Sequence, residues 1–406
     1  MSDGRLRILE FVSFPRVQYA TISYVWRGNC PAKDQADEFS VAGAEDADPI
    51  SVHVLLDACK AALACGAPYL WLDRLCIMQI CKQDKQWQIR EMYRVYTFAA
   101  VCIVIPGGLR SLVPFGEETQ WIHRSWTLQE VVAPPITAVL FAWTHGAGGC
   151  LLRIQGEDEK GRIDVVRPGV SAMTDLDTVL VSCSVGYFDF TPDNASEQEA
   201  TMPIRIQALL FGAPVPSDLP PGAALADPLI RLPNAAALVF ARATDEDAEI
   251  RDYCIWQCAL VRTSSRPVDM VYSIMGILGV ELDPSKFAAD DRLGATIALA
   301  REILRQGRSA SWLGLGLNLP PCPYVSTFPI FPETSVAGKA FYNIPGSGKK
   351  LLTLADALYP NHIGVFSPLT GSMDEAGYFS FNAPAVRVTP ISLATSADAE
   401  WFYDMD

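Results

Sequence analysis

Tyr19-Ala-Thr-Ile-Ser-Tyr-Val-Trp26 and Tyr69-Leu-Trp-Leu-Asp73 decide the fold. Each is a short run of β-branched, aromatic and aliphatic residues, apolar on both faces. Between them, over Ser51 to Cys65, Val54, Leu55, Ala58, Ala61 and Ala62 recur at helical spacing, and Gly66 supplies a stop. Strand, helix and strand in that order form a βα unit of a parallel sheet covered by helices. The pattern repeats to residue 143, with strands expected at Ala20 to Val25, Tyr69 to Asp73, Ala100 to Ile105 and Ile136 to Trp143. A second helix is expected from about Asp84, read as its cap, through Ile89, Met92, Tyr93 and Tyr96.

Beyond Gly146 the texture changes. The loop His145-Gly-Ala-Gly-Gly-Cys150, the charged run Gly156 to Arg162 and the Pro-rich stretch Pro214 to Pro221 read as punctuation, so a domain boundary is expected near residue 148. Helices are expected from Glu246 to Arg262, Asp269 to Leu278 and Asp291 to Gln306. Strands are expected near Leu351 and at Ile363 to Ser367, Tyr378 to Asn382 and Val386 to Leu393, after the Gly- and Pro-rich Trp312 to Pro332. The expected fold is therefore α/β, a parallel-sheet domain over 1–148 followed by a mixed α+β C-terminal domain over 149–406.

The chain has 406 residues, half of them hydrophobic and 19% charged, which is a folding composition. A formal net charge of −14 repels phosphate backbones and argues against nucleic-acid partners. The longest apolar stretch, Phe98 to Leu109, is broken by Pro106, Gly107 and Gly108 and falls short of the roughly 18 residues of a membrane span. At the N-terminus Arg5 and Arg7 precede only Ile8 to Phe14, interrupted by Glu10, too short and too charged for a secretory leader, so a cytoplasmic location is expected. Eleven cysteines at irregular spacing, several inside apolar runs (Cys59, Cys76, Cys102, Cys258), read as reduced core residues. Cys254 and Cys258 lie one helical turn apart without the further ligands a zinc site needs, and no metal or cofactor is expected.

Four blocks in order then carry a resemblance: Tyr19 to Trp26, Tyr69-Leu-Trp-Leu-Asp-Arg-Leu-Cys-Ile-Met-Gln79, Gln88-Ile-Arg-Glu-Met92 with Tyr96, and Arg124-Ser-Trp-Thr-Leu-Gln-Glu130. Together, over roughly residues 8 to 143, they resemble the fungal heterokaryon incompatibility (HET) domain. Asp269-Met-Val-Tyr-Ser-Ile-Met-Gly276 is similar to a stretch that often follows that domain. The resemblance implies a role in allorecognition and programmed cell death. It also implies a fold remotely similar to Toll/interleukin-1 receptor (TIR) domains, some of which cleave NAD at the nicotinamide glycosidic bond. The sequence departs from the family in one place: Arg27 stands between Trp26 and Gly28, where the family has Gly directly after the Trp.

Read as chemistry, the same residues form a constellation. Ligands in an open α/β sheet collect beyond the carboxyl ends of the strands, where Trp26 to Asn29, Asp73 to Cys76 and Pro106 to Gly108 should share one crevice. Cleavage of an N-glycosidic bond asks for a carboxylate, an aromatic surface and cationic or amide donors. Glu130 and Asp73 are the candidate catalytic carboxylates. Trp26, Arg27, Gly28, Arg74, Cys76, Arg124, Trp126 and Gln129 are the candidate ligand-binding residues, and NAD is the candidate substrate. Plainer readings stand beside these: Trp71 and Trp126 as core anchors, Asp73 as a group that caps or orients a neighbouring loop, Cys76 as a buried thiol, His123 as a structural histidine, and Glu130 as a partner of Arg124 despite poor i, i+6 spacing. Pro345-Gly-Ser-Gly-Lys-Lys350 and Gly314-Leu-Gly316 lack the residues of a phosphate loop or dinucleotide fingerprint, and no G-x-S-x-G or H-E-x-x-H motif occurs. Two other functions remain open at this level: a cofactor-independent cyclase or isomerase of secondary metabolism with an apolar pocket, and a non-enzymatic module that acts by homo-oligomerisation.

Overall fold

The computed structural model describes residues 6–11, 14–29, 37–154, 157–193, 202–212, 233–242, 248–314 and 369–383, with a few short pieces between 328 and 351. The first half runs β1 (Tyr19–Tyr24), β2 (Glu38–Phe39), β3 (Ile50–Ser51), α1 (Val52–Ala64), β4 (Tyr69–Trp71), the single turn α2 (Asp73–Cys76), α3 (Lys82–Thr97), β5 (Val101–Ile105), α4 (Trp126–Val132) and β6 (Thr137–Ala142). β1 lies parallel to β4, with Ala20 opposite Leu70, and parallel to β5, with Ile22 opposite Ile103. β5 is parallel to β6. The four parallel strands thus stand in the order β4-β1-β5-β6. The chain leaves β1 to one side and returns on the other, which makes β1 the switch point of a doubly wound sheet.

Alternation along β1 sorts its side chains between two layers. Ala20, Ile22 and Tyr24 pack with Val54, Leu55 and Ala58 of α1. Val25, beyond the strand end, joins Leu128 and Val131 of α4 on the other face. All five residues of β5 are buried, as a strand covered on both sides requires. β4 differs: it forms the sheet edge, Tyr69 is exposed, and the strand stops at Trp71 so that Asp73 opens α2. Asp84 is not the cap of α3, which begins at Lys82 after Cys81. It sits in the first turn, where its carboxylate accepts the Met78 N–H at 2.7 Å and faces the positive end of the helix.

The sheet does not end near residue 148. It continues through β7 (Gly148–Ile154), β8 (Glu157–Arg167) and β9 (Ser171–Asp175), then α5 (Leu176–Val185), β10 (Tyr187–Pro192) and β11 (Ile204–Gln207). β9 pairs antiparallel with β6, Leu140 opposite Met173, giving nine strands in the order β11-β10-β7-β8-β9-β6-β5-β1-β4. The sheet is therefore mixed rather than parallel. The charged run read as a loop is part of strand β8: a solvated hairpin needs backbone pairing but no apolar side chains, and Arg153 pairs across it with Asp158 at 3.4 Å. Gly148 belongs to strand β7 as well. A Cβ there would stand 2.2 Å from the Thr191 carbonyl oxygen, so its glycine serves close packing of β7 on β10 rather than a turn.

Helices α6 (Pro233–Arg242), α7 (Ala248–Leu260), α8 (Asp269–Met275) and α9 (Arg292–Arg305) follow. Asp291 caps α9 by accepting the Gly294 N–H at 3.0 Å. α8 packs on both α4 and α9, and one apolar cluster joins Val104, Leu128 and Val139 to Val179, Ile255 and Leu299. Asp57 of α1, itself buried, pairs with Arg167 of β8 at 2.9 Å. Residues on either side of position 148 thus share a sheet, a core and an ion pair. Tyr378 to Asn382, expected as a strand, contains Phe379–Phe381, paired with Gly371–Met373. The strands expected at Ile363 to Ser367 and Val386 to Leu393, and the stretch Pro214 to Pro221, lie outside the described residues. Among the described residues no helix is long and apolar enough to cross a membrane.

Candidate functional site

The end of β1 carries a hydrogen-bonded group on each face of the sheet. On the α4 face, Ser23 Oγ donates to Glu130 Oε2 at 2.6 Å and accepts from the buried Trp121 indole at 2.9 Å. Tyr96, at the end of α3, donates its hydroxyl to the Ile22 carbonyl at 3.1 Å and also stands against Glu130. Glu130 shares α4 with Leu128 and Val131, which anchor that helix in the core, so the carboxyl is carried inward with them. Burial pushes its pKa up to about 8. The Asp73 charge acts in the same direction, while the Ser23 hydrogen bond, Arg124 and Tyr96 act against it. A carboxyl titrating near physiological pH, fixed by a serine and a tryptophan, is suited to acid–base work.

On the other face, Asp73 receives three donors. Tyr24 donates its hydroxyl to Oδ1, the Trp26 indole donates to Oδ2 at 2.8 Å, and the Arg74 N–H donates to Oδ1 at 2.6 Å. Arg74 is buried, donates from Nε to the Tyr24 oxygen at 2.9 Å, and lies over the Tyr24 ring at 5.1 Å. Gln79 closes the group by donating to the Asp73 carbonyl at 2.9 Å. Both Asp73 oxygens are thus committed to orienting the neighbouring Trp26 loop, and the cap position of α2 is held by Leu72, not by Asp73.

The remaining residues take distinct places. The Trp126 indole donates to Asp269 Oδ2 at 3.1 Å, and burial raises the pKa of that carboxyl. Arg124 lies between these groups: burial lowers its pKa, Asp269 and Glu130 support its charge, and Arg27 opposes it. The backbone around Arg124 is clamped to the second half of the chain, Thr263 N–H donating to His123 O at 2.7 Å and Ser125 N–H donating to Thr263 O at 3.0 Å. Gln129 is buried, and its amide nitrogen has no hydrogen-bond partner among the described residues. Cys76 is half-buried and burial raises its thiol pKa, the opposite of what a nucleophile needs. Trp71 is a half-buried anchor, edge-on to Tyr96 at 5.7 Å. Trp26 to Asn29 and Pro106 to Gly108 touch directly: Asn29 N–H donates to Gly107 O at 3.0 Å, and a Cβ on Gly28 would stand 1.9 Å from that oxygen. Backbone contact fills the gap between these two loops.

The structure therefore brings Trp26, Asp73 and Arg74 together, and places Glu130 close enough to Arg124 and Asp73 for their charges to act on it. Residues 19–114 match the family model of the heterokaryon incompatibility protein (HET). The chain carries a HET domain. The match takes in β1 to β5 with Trp26, Arg27, Gly28, Asp73, Arg74 and Cys76, and ends before Arg124, Trp126, Gln129 and Glu130. Comparison with curated proteins and with solved structures gives no match. Ser23, Tyr24, Trp121 and Asp269 complete the site without having been candidates from sequence, the last two lying outside the matched residues. Period-2 alternation places Ser23 and Tyr24 on opposite faces, but nothing local reveals which helices meet them.

Proposed function

We propose that this HET-domain protein is of the allorecognition and cell-death type, that its first half is TIR-like, and that the groups at the end of β1 bind NAD and hydrolyse its nicotinamide glycosidic bond. The observation that carries the reading is Glu130, held by Tyr96 and by Ser23, which the Trp121 indole fixes in turn, with its pKa raised to about 8, beside the last residues of the switch-point strand. The order of the parallel strands supports it.

In this reaction the bond from C1′ of the ribose to the ring nitrogen breaks and its electron pair leaves with nicotinamide, cancelling the pyridinium charge. Water supplies the new C1′–O bond and releases a proton. Ionised Glu130 stabilises the oxocarbenium-like transition state and then takes the proton from water. A free Glu130 is mostly protonated below about pH 8, and the cationic nicotinamide ring favours its ionised form. Binding thus releases a proton at neutral pH, and kcat/KM rises with pH until it levels near about 8. Initial rates of nicotinamide release across pH test the reading. Absence of release across a series of NAD concentrations, or a rate that falls steadily as pH rises to about 8, contradicts it.

A further inference from the structure

Three of the donors suited to a pyrophosphate are already engaged, all by one short acidic segment. Gly28 N–H donates to Asp48 Oδ2 at 2.7 Å, Arg74 Nη1 donates to the Asp48 carbonyl at 2.5 Å, and Arg27 Nε donates to the Asp46 carbonyl at 2.7 Å. Ala47 N–H donates to Ala44 O at 3.2 Å and Asp48 N–H to Trp26 O at 2.8 Å, so the segment is a turn laid against the β1 loop. Arg74 Nη2 is buried in the same place and meets no partner among the described residues, a guanidinium N–H that a further anionic oxygen would satisfy. The Asp48 carboxylate stands where a phosphate oxygen would stand: on a backbone N–H at the end of the first strand, beside an arginine.

We infer that residues 44–48 are an internal acidic strap that occupies the phosphate-binding donors and must swing away before a nucleoside diphosphate group can enter. The inference rests on the nucleotide reading of this site and adds its regulation. The strap is built to be displaceable. Ala44 is buried and pins one end, while Glu45 and Asp46 are exposed. Gly43 before them has φ +81°, a conformation that favours glycine, with Gln79 and Ile80 against it. An incoming diphosphate offers the same donors more negative charge than one carboxylate and two carbonyls, so the exchange is a competition between anions. The basal state is then closed, and anything that draws residues 44–48 away opens the site.

The test is binding of ADP and of inorganic pyrophosphate to the full chain by calorimetry, in wild type, Asp48→Asn and Asp46→Asn. Asparagine at 48 keeps an acceptor for Gly28 N–H and loses the charge. Asparagine at 46 removes an equal charge while leaving the three bonds intact, because Asp46 contributes only its backbone carbonyl to them. The expected result is tightening of about tenfold or more for Asp48→Asn and little change for Asp46→Asn. Equal affinities in wild type and Asp48→Asn, or equal tightening in both variants, overturn the strap while leaving the nucleotide reading in place. Failure of both probes to bind any of the three proteins overturns both. Amide exchange on the wild type with excess ADP gives a second readout that needs no variant. Faster exchange is expected at Asp48, whose N–H loses the Trp26 carbonyl, while the diphosphate keeps Gly28 N–H bonded; unchanged or slower exchange at Asp48 overturns the strap.

Discussion

Replacing Glu130 with glutamine isolates a single proton. Burial holds the folded carboxyl near about 8 against an ordinary 4.5, so the native protein binds this proton more tightly than the unfolded chain does. Below about pH 4.5 both states carry it and Glu130 costs the fold nothing. As pH rises from there the unfolded chain releases the proton first, and native stability falls by about 1.4 kcal/mol per pH unit. The loss levels off above about pH 8, at on the order of 5 kcal/mol in total. Glutamine keeps an acceptor for the Ser23 hydroxyl and has no proton to lose. Urea unfolding of both proteins at intervals from about pH 5 to about pH 9 measures the effect, since every other titrating group is common to the pair and cancels in the difference. Glu130→Gln is expected to gain on the wild type as pH rises and to hold a constant lead beyond about pH 8. A difference that stays flat across the range would refute the claim that this carboxyl is protonated in the folded protein near neutral pH.

Three further outcomes follow from other parts of the fold. Gly28→Ala drives a methyl group onto the Gly107 carbonyl oxygen, 1.9 Å from the new Cβ, and should cost about 3 kcal/mol or more, read as a lowered thermal midpoint. Asp73→Ala strips the acceptor from Tyr24, Trp26 and the Arg74 N–H and should destabilise by about 2–4 kcal/mol while shifting Trp26 emission to the red; Asp73→Asn, which still accepts, should lose less. A fragment of residues 1–148 exposes the outer edge of β6 and half of the shared core, so it should fail to show a cooperative unfolding transition, whereas a sharp transition would show that the first half folds alone.

Strands β1, β5 and β6 and helix α1 were legible because each shows a clean local signal: short runs buried on both faces, or apolar residues at helical spacing; β4 was legible from its apolar run although it forms an exposed edge. The antiparallel half of the sheet was not. Its β7–β8 hairpin is charged and glycine-containing because it is solvated and tightly packed on β10, and neither cause leaves an alternating apolar pattern. Asp84 misled because an aspartate serves a helix start equally well as a cap or as a first-turn charge. In the site, Glu130, Asp73 and Trp26 could be picked out by residue type and position at strand ends. Their partners are set by tertiary contact: Ser23 and Trp121 are 98 residues apart, and Trp126 and Asp269 are 143 apart. The engagement of Arg27, Gly28 and Arg74 by Asp46 and Asp48 was equally hidden, since it depends on how one loop folds back over another.

Whether Glu130 is the carboxylate of an NAD-cleaving site is decided by quantifying nicotinamide released from NAD by wild type and by Glu130→Gln. Release by the wild type is expected, with a fall of about 10²-fold or more in the variant and the variant no less stable at neutral pH. Equal release by both proteins would contradict it.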